Sequence, residues 1–300
     1  MKAKTMMMTR MTMSDPISSV GQTEPAMTGH PRVAALVAAY NAERTIREAI
    51  DPLLAAKPDC QVYVVDDCSR IPVSEYLQNT DGRITVIRLE KNAGPAAARN
   101  AALIKILAAG FDYIAIADAD DISKPDRIAK QVAFMDANPK VGACGTWVRN
   151  FQDGNPDATF IKRRPGDPRA VRNLMFFNIG VSHASAMIRC EALRRVGLYS
   201  QDYPAAEDYD LLCRIGKAYD VANIEECLLD YRLSPGGQSM LRRRRQLLDR
   251  LRIQLKYFEV GAWRAWAGVA RTLTILLMPA GLFDSLRSRL RARSSSSSID

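Results

Sequence analysis

Apolar residues in this chain come in short runs that end on polar clusters. Val33 to Ala39 is unbroken apolar sequence and stops at Tyr40-Asn41. Gln61-Val-Tyr-Val-Val65 stops at Asp66-Asp67, Ile84 to Leu89 leads to Asn92-Ala-Gly94, and Tyr113-Ile-Ala-Ile-Ala117 stops at Asp118-Ala-Asp120-Asp121. Runs of this kind suit strands of a parallel sheet, which are covered on both faces. Between them, Glu43 to Ala56, Pro95 to Ala109 and Lys124 to Asn138 read as helices. Repeated strand and helix units predict an α/β fold, a mostly parallel central sheet flanked by helices. Ligands in such sheets bind beyond the carboxyl ends of the strands, so the four polar clusters are expected on one rim.

From Val141 to Leu233 the pattern is less regular, with turns expected at Asp153-Gly-Asn-Pro156 and Pro165-Gly166, and it reads as a continuation of the same domain. After Pro235-Gly-Gly237 the chain turns Leu/Arg-rich, with Leu241, Leu248, Leu251, Leu255 and Phe258 near helical spacing. The expected organisation is a disordered arm over 1–30, the α/β domain over 31–234, a basic amphipathic helical extension over 235–293, and a disordered tail over 294–300.

Composition changes this picture in three places. The 47% hydrophobic and 25% charged residues fit a globular protein and exclude collagen-like, coiled-coil and low-complexity classes. The net charge of +9 is concentrated, because Leu241 to Arg293 holds 13 Lys/Arg against 3 Asp/Glu and leaves the body near neutral. A basic segment of that kind seeks a polyanion. Aromatic residues are not interleaved with the basic ones as a stacking platform requires, so no nucleic-acid partner is expected. The six cysteines form no CxxC pair, which argues against a zinc ribbon or a thioredoxin-like site.

The first thirty residues lack the continuous apolar core of a secretory signal, so the active domain is expected in the cytoplasm. Ala262 to Phe283 approaches the length needed to cross a bilayer, but Arg264, Arg271 and Pro279 favour a helix lying in the interface. That predicts a peripheral protein at the inner membrane face, held by anionic headgroups. Packing of these helices on the domain or on a second copy of the chain is the alternative, and a homo-oligomer is left open.

Several residues could carry chemistry, each beside a plainer reading. Asp118-Ala-Asp120 could grip Mn²⁺ or Mg²⁺ that also holds a diphosphate, or Asp118 to Asp121 could be an acidic turn capping the next helix. Asp66-Asp67 could bond a base or ribose, or end a strand and cap a turn. Arg99, in Asn92-Ala-Gly-Pro-Ala-Ala-Ala-Arg99-Asn100, could reach a phosphate or be an ordinary surface arginine. Glu207-Asp208 could supply a general base or be the acidic first turn of a helix running to Lys217. His183 could line a cleft or be structural, and Tyr231-Arg232 could close over a diphosphate or pack at a strand end.

Taken together, these residues resemble a known family. Val37-Ala-Ala-Tyr40-Asn41, Val65-Asp-Asp-Cys-Ser69, Asn92-x-Gly94 through Ala98-Arg99-Asn100, Ala117-Asp-Ala-Asp-Asp121, Glu207-Asp208-Tyr-Asp210 and Tyr231-Arg232 occur in the order seen in family 2 glycosyltransferases. The resemblance covers roughly Pro31 to Leu233. It implies a GT-A fold and metal-dependent transfer of a sugar, with inversion, from a nucleotide diphosphate sugar, a UDP-sugar being favoured. The acceptor would be a glycan or lipid-linked hydroxyl in cell-surface polysaccharide synthesis.

By the same resemblance Tyr40, Asp66, Asp67, Asn92, Arg99 and Asp118 would contact the donor, and Asp120 with Asp118 the metal. Asp208 would be the catalytic base, and His183, Glu207 and Arg232 would contact acceptor or diphosphate. Two departures stand out: Cys68 replaces a common Gly, and no His stands near Ser234. Tyr40-Asn-Ala-Glu43 is not the Gly-rich basic loop of a sugar-nucleotide nucleotidyltransferase, the second enzyme reading. The remaining alternative is a catalytically inactive GT-A-fold protein that binds membrane or nucleic acid through its basic tail.

Overall fold

The computed structural model describes residues 32–77, 82–153, 155–233 and 243–278. The expected arm, the Pro235-Gly-Gly237 break, Ser234 and the tail lie outside the described residues.

The first half follows the apolar runs closely. Strands β1 (Val33–Ala39), β2 (Cys60–Asp66), β3 (Ile84–Arg88) and β4 (Tyr113–Asp118) lie in the order β3-β2-β1-β4, all parallel. Helices α1 (Ile46–Leu54), α2 (Val73–Tyr76) and α3 (Pro95–Ala108) connect them. Pleating sorts β1 between two cores: Val33, Ala35 and Val37 pack with Ile46, Ile50 and Leu53 of α1, while Ala34 and Leu36 face Ala102, Leu103 and Ile106 of α3. Burial on both faces is why these strands read as continuous apolar runs.

The helix expected from Lys124 begins later. Ile122–Ser123 forms a short strand, β5, which displaces the start of α4 (Arg127–Ala137). The less regular second half holds the longest strands, β6 (Val141–Gln152) and β9 (Asp220–Arg232), with β7 (Asn155–Lys162) and β8 (Met187–Arg189) beside β6. β6 and β9 pair in parallel through several register shifts. Those irregularities break the alternation and hide the strands from a pattern reading. Three helices cover this half: α5 (Pro168–Met175), α6 (Cys190–Val196) and α7 (Glu207–Ala218), with a 3₁₀ turn at His183–Ser185.

The extension packs on the domain. Helix α8 (Arg243–Lys256) buries Ile253 among Tyr203, Ala206 and Tyr209, a contribution on the order of 2 kcal/mol. Asp249 accepts from the Ala205 amide at 3.2 Å, and Asp210 of α7 accepts from Lys256 and the Tyr257 hydroxyl at 3.1 and 2.9 Å. Helix α9 (Trp263–Leu277) approaches so closely at Gly268 that an added Cβ would meet the Phe176 carbonyl oxygen at 2.0 Å. No helix among the described residues is long and apolar enough to cross a membrane.

Candidate active site

Register places the polar clusters in one line. Ala38 lies beside Asp118, Ala39 beside Asp66, and Asp66 beside Arg88. Beyond this line Tyr40 is 49% exposed, and Asn41 and Cys68 take left-handed backbone at φ 50° and 60°. A Gly at position 68 would adopt that conformation without Cβ strain, the physical sense of its place in the family motif.

Asp66 has no surface to offer a donor. One carboxylate oxygen accepts from the Ser69 amide at 2.8 Å, and the other from the Val73 amide at 3.1 Å and from the Arg88 guanidinium. Burial opposes its charge, yet these donors outweigh it and hold the carboxyl below the usual range. In this arrangement Asp66 braces the turn after β2. Asp67 accepts from the Ala93 and Gly94 amides at 2.8 and 2.9 Å and so fixes the entry to α3, while Asn92 stands exposed beside it.

Across the rim, Asp118 and the first turn of α7 meet. Arg99, buried on α3, donates to Asp118 and to Glu207 at 3.0 Å each and lies 5.7 Å from the Tyr199 ring centroid. Burial disfavours its charge, but Asp118, Tyr199 and Glu207 reverse this and hold the guanidinium firmly protonated. Arg99, Asp118, His183, Glu207, Asp208 and Tyr231 all line one cleft of about 270 Å³. The sequence brings Asp118 and Asp208 to this point from positions 90 residues apart.

Asp208 accepts from the Tyr209 amide at 2.7 Å. Burial raises its carboxyl above the ordinary range, and Glu207 is pushed up to about 7 by burial first and by the Asp208 charge second. A raised carboxylate is a stronger base, as proton abstraction from a hydroxyl needs. The His183 ring nitrogen lies 2.8 Å from the Tyr199 hydroxyl, and burial with Arg99 nearby lowers its pKa well below 6.5, so it is neutral in the cleft.

Arg232 does not face the cleft. Its side chain donates to the Asp120 carbonyl at 2.9 Å and pairs with Glu48 and Asp153, and its amide donates to Asp121 at 2.9 Å. The Glu48 and Asp153 carboxylates and the Asp120 carbonyl hold the side chain behind the 118–121 loop, which it supports.

That loop fits a hard divalent cation. Burial and the Asp118 and Asp120 charges push Asp121 up to about 9, and one of its buried oxygens has no partner. Burial and Asp118 likewise raise Asp120. Added positive charge is what such a cluster lacks. Among the described residues no three His, Cys, Asp or Glu side chains are already gathered as a metal cage.

Sequence reasoning missed the far wall. Lys162 at the end of β7 and Gln246 on α8 line the cleft with Asp208. The run Lys162-Arg-Arg164 after an apolar residue was a visible signal, but nothing local indicated which cleft it serves.

Comparison with known proteins agrees with this geometry. Residues 35–197 match the family described as glycosyl transferase family 2. An uncharacterized glycosyltransferase of Methanocaldococcus jannaschii is 29% identical over 225 residues, covering 73% of this chain and 76% of that protein. The amylovoran biosynthesis glycosyltransferase AmsE of Erwinia amylovora is 28% identical, with 70% and 78% covered. In three dimensions the chain is similar to the mannosyltransferase PcManGT of Pyrobaculum calidifontis, solved with GDP-Man and Mn²⁺. That match has a TM-score of 0.60 at 20% identity and covers 91% of this chain and 84% of the other. With the family motifs at the strand ends and α7 closing the cleft over them, the chain belongs to glycosyl transferase family 2 and has the GT-A fold.

Proposed function

We propose that this protein is an inverting glycosyltransferase that moves a sugar from a nucleotide diphosphate sugar to a hydroxyl of a glycan or lipid-linked acceptor in cell-surface polysaccharide synthesis. The observation that carries the reading is the convergence of Asp118 and Asp208 in one cleft, with Arg99 and Glu207 between them. Tyr40, Asn92 and the backbone braced by Asp67 would line the nucleoside half, and Asp118 would face the ribose and diphosphate.

Asp118 and Asp120 would hold Mn²⁺ or Mg²⁺, which when bound offsets charge on the diphosphate. Asp208 takes the proton of the acceptor hydroxyl as that oxygen attacks the anomeric carbon and the bond to the diphosphate breaks. Single displacement with one base gives inversion. Arg99 positions rather than reacts, because both its terminal nitrogens are held by Asp118 and Glu207. The neutral His183 and Tyr231 shape the acceptor side.

Calorimetric titration with UDP and with GDP, each with Mn²⁺ and with chelator, tests the donor assignment. Metal-dependent binding of one nucleotide, lost in Asp120→Ala and retained within about twofold in Asp208→Asn, is expected. Asp208→Asn should lower transfer by about 10²- to 10⁴-fold. Full transfer by that variant overturns the role of Asp208, and binding of neither nucleotide overturns the donor reading.

An anionic membrane is the location we assign to the chain. Val260, Trp263, Trp266 and Leu277 are exposed at 76%, 65%, 59% and 81% beside Arg264 and Arg271. An apolar, aromatic face edged by arginine suits a headgroup layer of negative charge. Cosedimentation with phosphatidylglycerol vesicles, weakened about tenfold by Trp263→Ser with Trp266→Ser, is expected; binding unchanged by the substitutions overturns it.

A further inference from the structure

Three cations lie near enough to act on one another beside the cleft, and one of them, Lys162, lines it. Lys162 ends β7 and lines the cleft. Two residues on, Arg164 is 6% exposed, and its Nε and one terminal nitrogen are buried without any hydrogen-bond partner. Arg250 lies one turn beyond the cleft-lining Gln246 on α8 and is half-buried. Among the described residues none of the three forms an ion pair.

The arrangement is held in place from outside. The Trp147 indole donates to the Arg164 carbonyl at 2.8 Å, and Asn223 donates to the Pro165 carbonyl at 2.9 Å. Arg164 is therefore positioned by β6 and β9. The cations act on one another: burial first, then Arg164 and Arg250, push Lys162 down to about 8, although its side chain is exposed overall. Burial and Arg250 likewise lower Arg164 to about 10. Asp208 is the carboxylate that opposes both shifts.

Leaving buried guanidinium donors unpaired is costly, and neutral sugar hydroxyls do not offset repulsion among three cations. One Asp208 charge against three cations leaves an excess of about two positive charges. A single carboxylate is too little to match that. A phosphate or diphosphate supplies the charge and the several acceptor oxygens that a guanidinium fork engages.

Building on the transferase reading, we infer that Lys162, Arg164 and Arg250 form an anion subsite on the acceptor flank and that the acceptor carries a phosphate or diphosphate near its reacting hydroxyl. The C-terminal helix α8 thereby completes the substrate site as well as packing on the domain. A sugar linked through diphosphate to a lipid and a polymer linked through phosphodiesters share this chemistry.

The test titrates the full chain, its donor site saturated with UDP or GDP and Mn²⁺, with farnesyl diphosphate and separately with glycerol 1-phosphate. Wild type should bind at least one of these anions alongside the nucleotide. Lys162→Gln and Arg250→Gln should weaken that binding about tenfold each, while Lys162→Arg retains it and nucleotide affinity changes less than about twofold. Unchanged melting temperatures exclude misfolding as the cause. Much tighter farnesyl diphosphate binding supports a lipid-diphosphate acceptor, and comparable affinities support a phosphodiester polymer. Failure of both anions to bind beside a bound nucleotide, or glutamine variants that bind like wild type, overturns the subsite. Anion binding with this variant pattern but no nucleotide binding keeps the subsite and overturns the transferase reading instead.

Discussion

At the strand-end rim, Asp66 and Asp67 accept backbone amides and Asp118 accepts from Arg99, so each carboxylate has its donors within the protein. Beside the cleft, Lys162, Arg164 and Arg250 stand without ion pairs among the described residues, and two Arg164 nitrogens have no acceptor. Asp66 and Asp67 are satisfied as folded and set the shape of loops, while Asp120 and Asp121 on the same rim lack positive charge. The three cations carry charge that folding leaves uncompensated, which is the condition for a group that acts on a ligand.

This difference breaks most sharply under substitution at the rim. Asp66→Ala removes the acceptor of two buried amides and the partner of Arg88, and should cost about 3 kcal/mol, read as a loss of several degrees in melting temperature. A change within about 0.5 kcal/mol would mean that Asp66 is not the brace of that turn.

An acid limb comes next in size. Glu207, pushed up to about 7 by burial and by Asp208, and Asp208, raised by burial, titrate as a pair beside Arg99. The base must be ionised, so as the pH falls through about 7 Glu207 takes up a proton first, and further acidification that protonates Asp208 should reduce transfer by up to about tenfold per pH unit. Above about 7 the limb should level. A flat rate down to about pH 5 would place the base elsewhere.

The smallest effect has the opposite sign to the first. Arg164→Met removes a buried, unpartnered guanidinium and should stabilise the ligand-free protein by about 1 kcal/mol, read by chemical denaturation. Destabilisation by more than about 1 kcal/mol would show that Arg164 serves the fold and would erase the contrast between the two regions.

Much of the donor half could be read directly. The runs at 33–39, 60–66 and 113–118 are buried on both faces, so each strand, its end and the polar cluster beyond it appear as consecutive residues. Helix α7 with its acidic first turn was equally plain, since Glu207, Asp208 and Asp210 are neighbours on a strong amphipathic pattern. The long pair β6 and β9 was not, because register shifts between them disrupt alternation. The fate of the extension was open as well: its arginines and leucines suited membrane, domain or partner alike, until Ile253, Gln254 and Gly268 were seen against the domain.

Composition, run lengths and motif order were enough to set the fold class, the rim and the family, since these depend on local burial and on neighbours in the chain. The partners of charged side chains came only with the folded molecule. Asp66 and Arg232 were placed on the donor and acceptor by motif, and in the folded molecule one turns inward to Ser69, Val73 and Arg88 and the other reaches Glu48, 184 residues away. Lys162 and Arg164 gain their meaning from Asp208 and Arg250 on elements distant in sequence. Coulomb energy and desolvation depend on separation in space and on what excludes water around a charge, and neither is encoded in the order of residues along a short segment.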